Sequence, residues 1–271
     1  MESLSRVENG KESPNRIKFQ QLMERLGVDK SRYNGHLATS EYRVLEIDGE
    51  IEELLSRECY KEAKDILGYL ESFLDMSEIQ NIQLVQRRRN QLLGRADKLS
   101  AIEEKKRVEE LLDLTYNSKA KPLVRLPFKN ETYLFNAICL MLWKMGEKEV
   151  SIQRYLELVK CFEENRIKMK YHFRSVGILL SNMSDKMERI GYFKEAEYWI
   201  HKTLQFCLCC GKSSNVEWLL GNMLDIMCEQ HEKRELCLEM AKHSIWCSEL
   251  YKQKRFSNLI NNYVKEHFGE V

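Results

Sequence analysis

Helix breakers are scarce in this sequence. Its 271 residues hold three prolines, Pro14, Pro122 and Pro127, so over most of the chain nothing interrupts a helix. Charge of one sign is missing too: 43 Lys and Arg stand against 42 Asp and Glu, a net +1. No global field draws the chain to nucleic acid or a membrane, and any basic patch must be local. No apolar run comes near the roughly 18–20 residues that span a bilayer. The polar start MESLSRVENGKES lacks the apolar core of a signal peptide. Nine cysteines, an odd number without that signal, read as thiols in a reducing cytoplasm rather than as a disulfide framework. Catalytic signatures are lacking as well. There is no Gly-rich phosphate loop, no HExxH and no G-x-S-x-G, and the six histidines are scattered. Cys207, Cys209 and Cys210, with His201, Cys228, Cys237, His243 and Cys247 beyond them, do not make the paired C-x-x-C frame of a zinc site. The expectation is a cytoplasmic protein that is no enzyme and holds no metal or other cofactor.

What the chain does have is helical periodicity and a repeat. LLSNMSDKM at 179–187 returns as LLGNMLDIM at 219–227, identical at six of nine positions. Val176, Leu179, Leu180, Met183, Met187 and Ile190 form one apolar stripe. Phe193, Ala196, Trp199, Ile200, Leu204 and Cys207 form the stripe of a return helix, with the turn at Gly191. Neither helix can hide its stripe alone, but pair stacked on pair buries both. The same reading gives helices over 39–56, 60–73, 77–95 and 99–116, then a loop at 117–129 that divides the array in two. After the loop come pairs 131–145 with 149–165, 171–190 with 193–209, and 214–230 with 233–250, and a last helix over 253–267. The turns fall at Gly146, Gly191 and near His231. Ser151, Ala196 and Leu236 stand five residues after them, and Ala63 holds the corresponding place in the first pair. The basic runs Arg87–Arg89 and Lys105–Arg107 read as exposed faces, the second salt-bridged to Glu103, Glu104, Glu109 and Glu110.

Two resemblances follow. Leu4-Ser5-Arg6-Val7-Glu8-Asn9-Gly10-Lys11-Glu12-Ser13-Pro14 resembles the end of the recognition helix in XRE-type helix-turn-helix regulators. The helices that precede it in that family are not in this sequence, since Met1 falls inside the recognition helix. Residues 1–36 are therefore expected to be a remnant of the DNA-binding domain, with the reading frame starting upstream. The helix pairs of 37–271 resemble the tetratricopeptide repeat. Their turns are 45 and 40 residues apart (Gly146 to Gly191 to His231) rather than the repeat's usual ~34. That longer version is similar to the repeats behind XRE domains in Rgg- and PlcR-like regulators. The fold expected is thus all-α, a tetratricopeptide-like superhelix (an α-α solenoid) of five to six helix pairs behind a helix-turn-helix remnant.

The resemblance also assigns sites. Ser5, Arg6, Asn9 and Lys11 match the positions that face DNA, and would do so only with the full helix-turn-helix present. In the repeats, the inner face of each first helix lines a groove. On this chain that face carries Tyr133, Asn136 and Trp143, then Ile178, Asn182, Asp185 and Arg189, then Trp218, Asn222 and Asp225. A primary amide both donates and accepts, so paired asparagines can clamp an extended peptide backbone. Equally, Asn182 and Asn222 can bridge neighbouring repeats, and both readings stand. The function implied is the regulatory and dimerisation domain of a transcription regulator that binds a short signalling peptide. The alternative is a scaffold that binds a protein segment in the same groove. A homodimer is implied, and no membrane.

Overall fold

The computed structural model describes residues 42–56, 59–95, 99–119, 127, 129–164, 173–209, 216–250 and 253–269. Eleven α-helices and no strand occur among them. In chain order they are α1 Tyr42–Ser56, α2 Tyr60–Phe73, α3 Ile79–Arg95, α4 Ala101–Asp113, α5 Lys129–Lys144 and α6 Lys148–Glu164. Then come α7 Phe173–Glu188, α8 Phe193–Cys209, α9 Val216–Glu229, α10 Arg234–Leu250 and α11 Lys254–Phe268. Two compact units divide the chain at Val85/Gln86, within α3.

In the first unit α1 packs on α2. Val44, Ile47, Ile51 and Leu55 make the buried stripe of α1, at spacings of three and four, and Ala63, Leu67 and Leu70 answer it on α2. Asp75 shapes the entry to α3: its carboxylate accepts from the Ser77 N–H (2.9 Å) and hydroxyl (2.7 Å). These bonds hold its pKa below the ordinary value.

In the second unit, beyond the end of α3, a capped helix follows. Ser100 and Glu103 form a capping box at the start of α4, the Ser100 hydroxyl accepting from the Glu103 N–H while Glu103 accepts from the Ser100 N–H. Such a box satisfies two orphan donors and contributes about 1 kcal/mol. α4 then packs on α5 across residues 114–128, so the proline-bearing stretch does not divide the array as the sequence led us to expect. From α5 onward the pattern is regular. Each first helix packs on its return helix, and the first helices of successive pairs also touch, α5 on α7 and α7 on α9. α11 packs on α10. One core runs from Val108 and Leu112 through Leu134, Tyr155, Phe162, Leu179, Leu180 and Met183 to Leu219 and Ile226. Burying each of these large side chains stabilises the fold by roughly 1.5–3 kcal/mol.

Three hairpin turns share one backbone closure. At the first, the Gly146 N–H donates to Trp143 O and the Glu147 N–H to Leu142 O. Gly191 and Tyr192 repeat the pair on Glu188 and Met187, and His231 and Glu232 repeat it on Cys228 and Met227. This is the Schellman motif, which needs a left-handed residue at its C′ position. Gly146 (φ 86°), Gly191 (φ 82°) and His231 (φ 57°) supply it. The third turn runs one residue longer before α10 starts. The small-residue place after it therefore belongs to Cys237, 1% exposed, and Leu236 points to solvent at 45%. Ala63, Ser151 and Ala196 hold that place in the other pairs, each fully buried.

One charged face was read wrongly from sequence. Arg87 and Arg88 on α3 are 4% and 1% exposed. The Arg87 guanidinium lies 4.6 Å from the centre of the Tyr133 ring, and Arg88 Nη1 donates to Gln91 Oε1 at 3.2 Å. Arginine suits such a place because its stem packs while its planar head keeps several donors in use. The Lys105–Arg107 run follows the sequence reading, with Lys105 paired to Glu109 (2.7 Å) and Lys106 to Glu110 (4.0 Å).

Candidate functional site

The first helices α5, α7 and α9 carry the residues expected to line a groove. Asn136 on α5 and Asn182 on α7 meet directly: Asn182 Nδ2 donates to Asn136 Oδ1 at 3.0 Å. The Tyr155 hydroxyl, from α6 within the core, donates to the same Oδ1 at 3.2 Å. Both lone pairs of that oxygen are thereby used. Burial holds the Tyr155 phenol far above its usual pKa, so it stays a neutral donor at every physiological pH. Of the two readings of the repeated asparagine, Asn182 shows the bridge between repeats. Asn222 does not. It is 9% exposed, and its amide makes no hydrogen bond among the described residues.

The aromatic positions are also engaged. Tyr133 is buried under the Arg87 guanidinium. Half-buried Trp143 lies between two ammonium groups, Lys148 Nζ at 5.2 Å and Lys186 Nζ at 5.3 Å from its ring centre. Each such contact contributes roughly 0.5–1 kcal/mol at an exposed site. Trp218 stays exposed on one side and leans on Phe256 of α11, with ring centres 4.2 Å apart. Ile178 is half-buried and Arg189 exposed.

A carboxylate cluster lies along the C-terminal ends of α7 and α9. Asp185 is paired with both Lys186 and Arg189, the latter at 2.8 Å. Asp225 faces Tyr263 and His267 of α11, and Tyr263 hydrogen-bonds it. Burial raises the Asp225 pKa, and the Tyr263 bond and Arg189 oppose that rise. Glu188 lies between these groups. Burial, then the like charges of Asp225 and Asp185, push it up to about 7. At neutral pH the cluster shares a proton and still carries excess negative charge. Sequence reasoning found Asp185 and Asp225 but missed Glu188 and Tyr263. Glu188 reads as one more surface glutamate until the chain brings Asp225 against it. No group of three or more His, Cys, Asp or Glu among the described residues has the geometry of a metal site. No described helix is long and apolar enough to cross a membrane. Ser5, Arg6, Asn9 and Lys11 lie outside the described residues.

Stacked helix pairs whose successive first helices also pack on one another define a class: tetratricopeptide-like helical repeat proteins. Within that class the chain folds like PlcR of Bacillus thuringiensis. It matches the crystal structure of PlcR in complex with the peptide PapR7 and DNA with a TM-score of 0.71, over 96% of this chain and 89% of that one. The apo form of PlcR matches with a TM-score of 0.63, over 95% of this chain and 92% of that one. Sequence identity is 13% in both, so the likeness is one of fold. No family model matches the chain, and neither does any curated protein. The resemblance to PlcR-like regulators read from the sequence holds in the fold.

Proposed function

We propose that this chain is the regulatory part of a transcription regulator, and that it binds a short peptide on the inner face of α5, α7 and α9. The observation that carries this reading is the row of partly accessible side chains on that face, in a chain folded like a PlcR bound to peptide and DNA. Asn182 retains a free carbonyl oxygen, and Asn222 retains a whole amide. The two suit the N–H and C=O groups of an extended backbone. Ile178 and Trp218 offer apolar contact beside them. Asp185, Glu188, Asp225 and Glu229 outweigh Lys186 and Arg189, so the ligand presents an ammonium or guanidinium group at that end. Tyr133 and Asn136 serve the scaffold beneath the face.

DNA binding through Ser5, Arg6, Asn9 and Lys11 belongs to the same proposal, wherever the rest of the helix-turn-helix is present. So does a homodimer, which sedimentation velocity tests. The peptide site is tested by isothermal calorimetry of the whole chain against short peptides of graded charge. Cationic peptides bind, and Asn222→Ala weakens them about tenfold, the equivalent of one lost hydrogen bond of ~1.4 kcal/mol. Asp225→Asn keeps the acceptor for Tyr263 but lowers the charge preference. Equal affinity in the wild type, Asn222→Ala and Asp225→Asn overturns the assignment. Capture of a folded protein partner with no short peptide bound supports a scaffold instead.

A further inference from the structure

We propose that Cys228 and Cys237 are a redox-modification site, a dithiol that closes into a disulfide across the α9–α10 turn by exchange with a low-molecular-weight disulfide. Cys228 lies one residue before the end of α9, and Cys237 is the fourth residue of α10. Cys237 belongs to the small core beneath that turn and Cys228 packs against it, near enough for the two thiols to act on each other's protonation. They pack in one small core with Leu224, Ala241, Phe256, Ile260 and Val264. The turn between them is fixed by the two closure bonds on Cys228 O and Met227 O, and the Cys237 thiol points back to Glu232 O at 3.9 Å. The hairpin itself therefore sets both cysteines at the same small core. A residue in the small place after the turn meets the end of the first helix, and here both positions carry sulfur.

The exchange balances without any group beyond the oxidant. The Cys228 thiolate, on the half-exposed residue, attacks a sulfur of glutathione disulfide and releases one glutathione. Cys237 gives up its proton and attacks the Cys228 sulfur, releasing the second. The protein loses two hydrogens and two electrons, and one glutathione disulfide becomes two glutathiones. Burial pushes the Cys228 thiol up to about 11, so little thiolate is present at neutral pH. The exchange is accordingly slow at pH 7 and speeds up about tenfold for each pH unit toward that value. Cys228 also contacts the Tyr263 hydroxyl, which hydrogen-bonds Asp225. A disulfide sulfur is a weaker acceptor for the Tyr263 hydroxyl than the thiol it replaces, so the oxidation state of the turn reaches the seat of α11.

Peptide mapping of the whole chain, incubated with glutathione disulfide at pH 8 and pH 9 and digested with trypsin without reduction, tests this. Cleavage after Lys212, Lys233, Arg234 and Lys242 leaves Cys228 alone on 213–233 and Cys237 alone on 235–242. The expected product is these two peptides joined, with a loss of about 2 Da against their sum, forming about tenfold faster at pH 9. A lasting glutathione adduct on Cys228, or both peptides recovered as free thiols, overturns the proposal. In Cys237→Ser the glutathione adduct on Cys228 persists. Should that variant fail to fold, mapping of the wild type decides alone. Hydrogen exchange of 254–268, compared between reduced and oxidised protein, reads the link to α11. Equal protection in the two forms removes that link.

Discussion

Replacing Asn136 by alanine tests the bridge between repeats. The substitution removes one oxygen that two donors share, Tyr155 Oη at 3.2 Å and Asn182 Nδ2 at 3.0 Å. The donors differ in what they lose. Asn182 is half-buried and can turn to water, so its bond costs about 0.5–1.5 kcal/mol. The Tyr155 side chain is 0% exposed, and its hydroxyl is left without a partner, which costs a further ~1–3 kcal/mol. Asn136→Ala should therefore lower stability by about 2–4 kcal/mol. The same change in a Tyr155→Phe background leaves no orphaned hydroxyl and should cost only about 1 kcal/mol. The difference, roughly 1–3 kcal/mol, is the coupling between the two side chains. Urea melts of the four proteins, followed by circular dichroism, measure it through shifts of midpoint at constant slope. Equal costs in both backgrounds, within about 0.5 kcal/mol, would refute the bridge.

Three further outcomes are expected of the hairpin turns, the α9–α11 contact and the carboxylate cluster. His231 holds a left-handed φ of 57° that glycine adopts freely, so His231→Gly should stabilise by about 0.5–1 kcal/mol, while Gly191→Ala at φ 82° should cost about 1 kcal/mol or more. Thermal melts separate the two signs. A Cβ on Gly221 would sit 2.8 Å from Phe256 Cζ and 3.3 Å from Ile260 Cδ1. Gly221→Ala should thus lose about 1 kcal/mol net, despite alanine's helical advantage of similar size, because overpacking costs ~1–3 kcal/mol. Hydrogen exchange should show the loss first in α11. Finally, the folded state holds the Glu188 carboxyl at about 7, above its ordinary 4.5, so it binds a proton more tightly than the unfolded chain does. This favourable contribution is present below about pH 4.5 and lost as pH rises through 7. Glu188→Gln should then raise the melting temperature at pH 8 and leave it nearly unchanged at pH 4.

Much of this architecture is legible in the chain because periodicity and turn chemistry agree. Gly146 and Gly191 mark their turns and set the starts of α6 and α8. Met183 and Met187 sit on the buried side their spacing predicts. The three differences between the two copies of the repeat also have physical causes. Gly221 stands where the first copy has Ser181 because the Phe256 ring presses there. Leu224 replaces Ser184 because it enters the core with α11. Ile226 is buried where Lys186 instead reaches Trp143. Arg87 and Arg88 were misread because charge predicts exposure only until a helix is surrounded, and no local pattern announces that. Ser100 and Glu103 were there to be found, since serine followed three residues later by glutamate is a helix-start signal. Glu188 could not be found that way, because its burial and the Asp225 charge come from packing against another helix.

The shared closure of the three hairpin turns has a consequence for how this chain can vary. Only three or four residues separate the helices within a pair, from Lys144 to Lys148, Glu188 to Phe193 and Glu229 to Arg234. Between pairs, eight residues separate Glu164 from Phe173 and six separate Cys209 from Val216. The pairs behave as fixed cassettes, and insertions and deletions have room only between them. Drift in those joints changes the repeat length while each cassette keeps its shape. A fold built this way tolerates wide change in sequence while each cassette keeps its backbone.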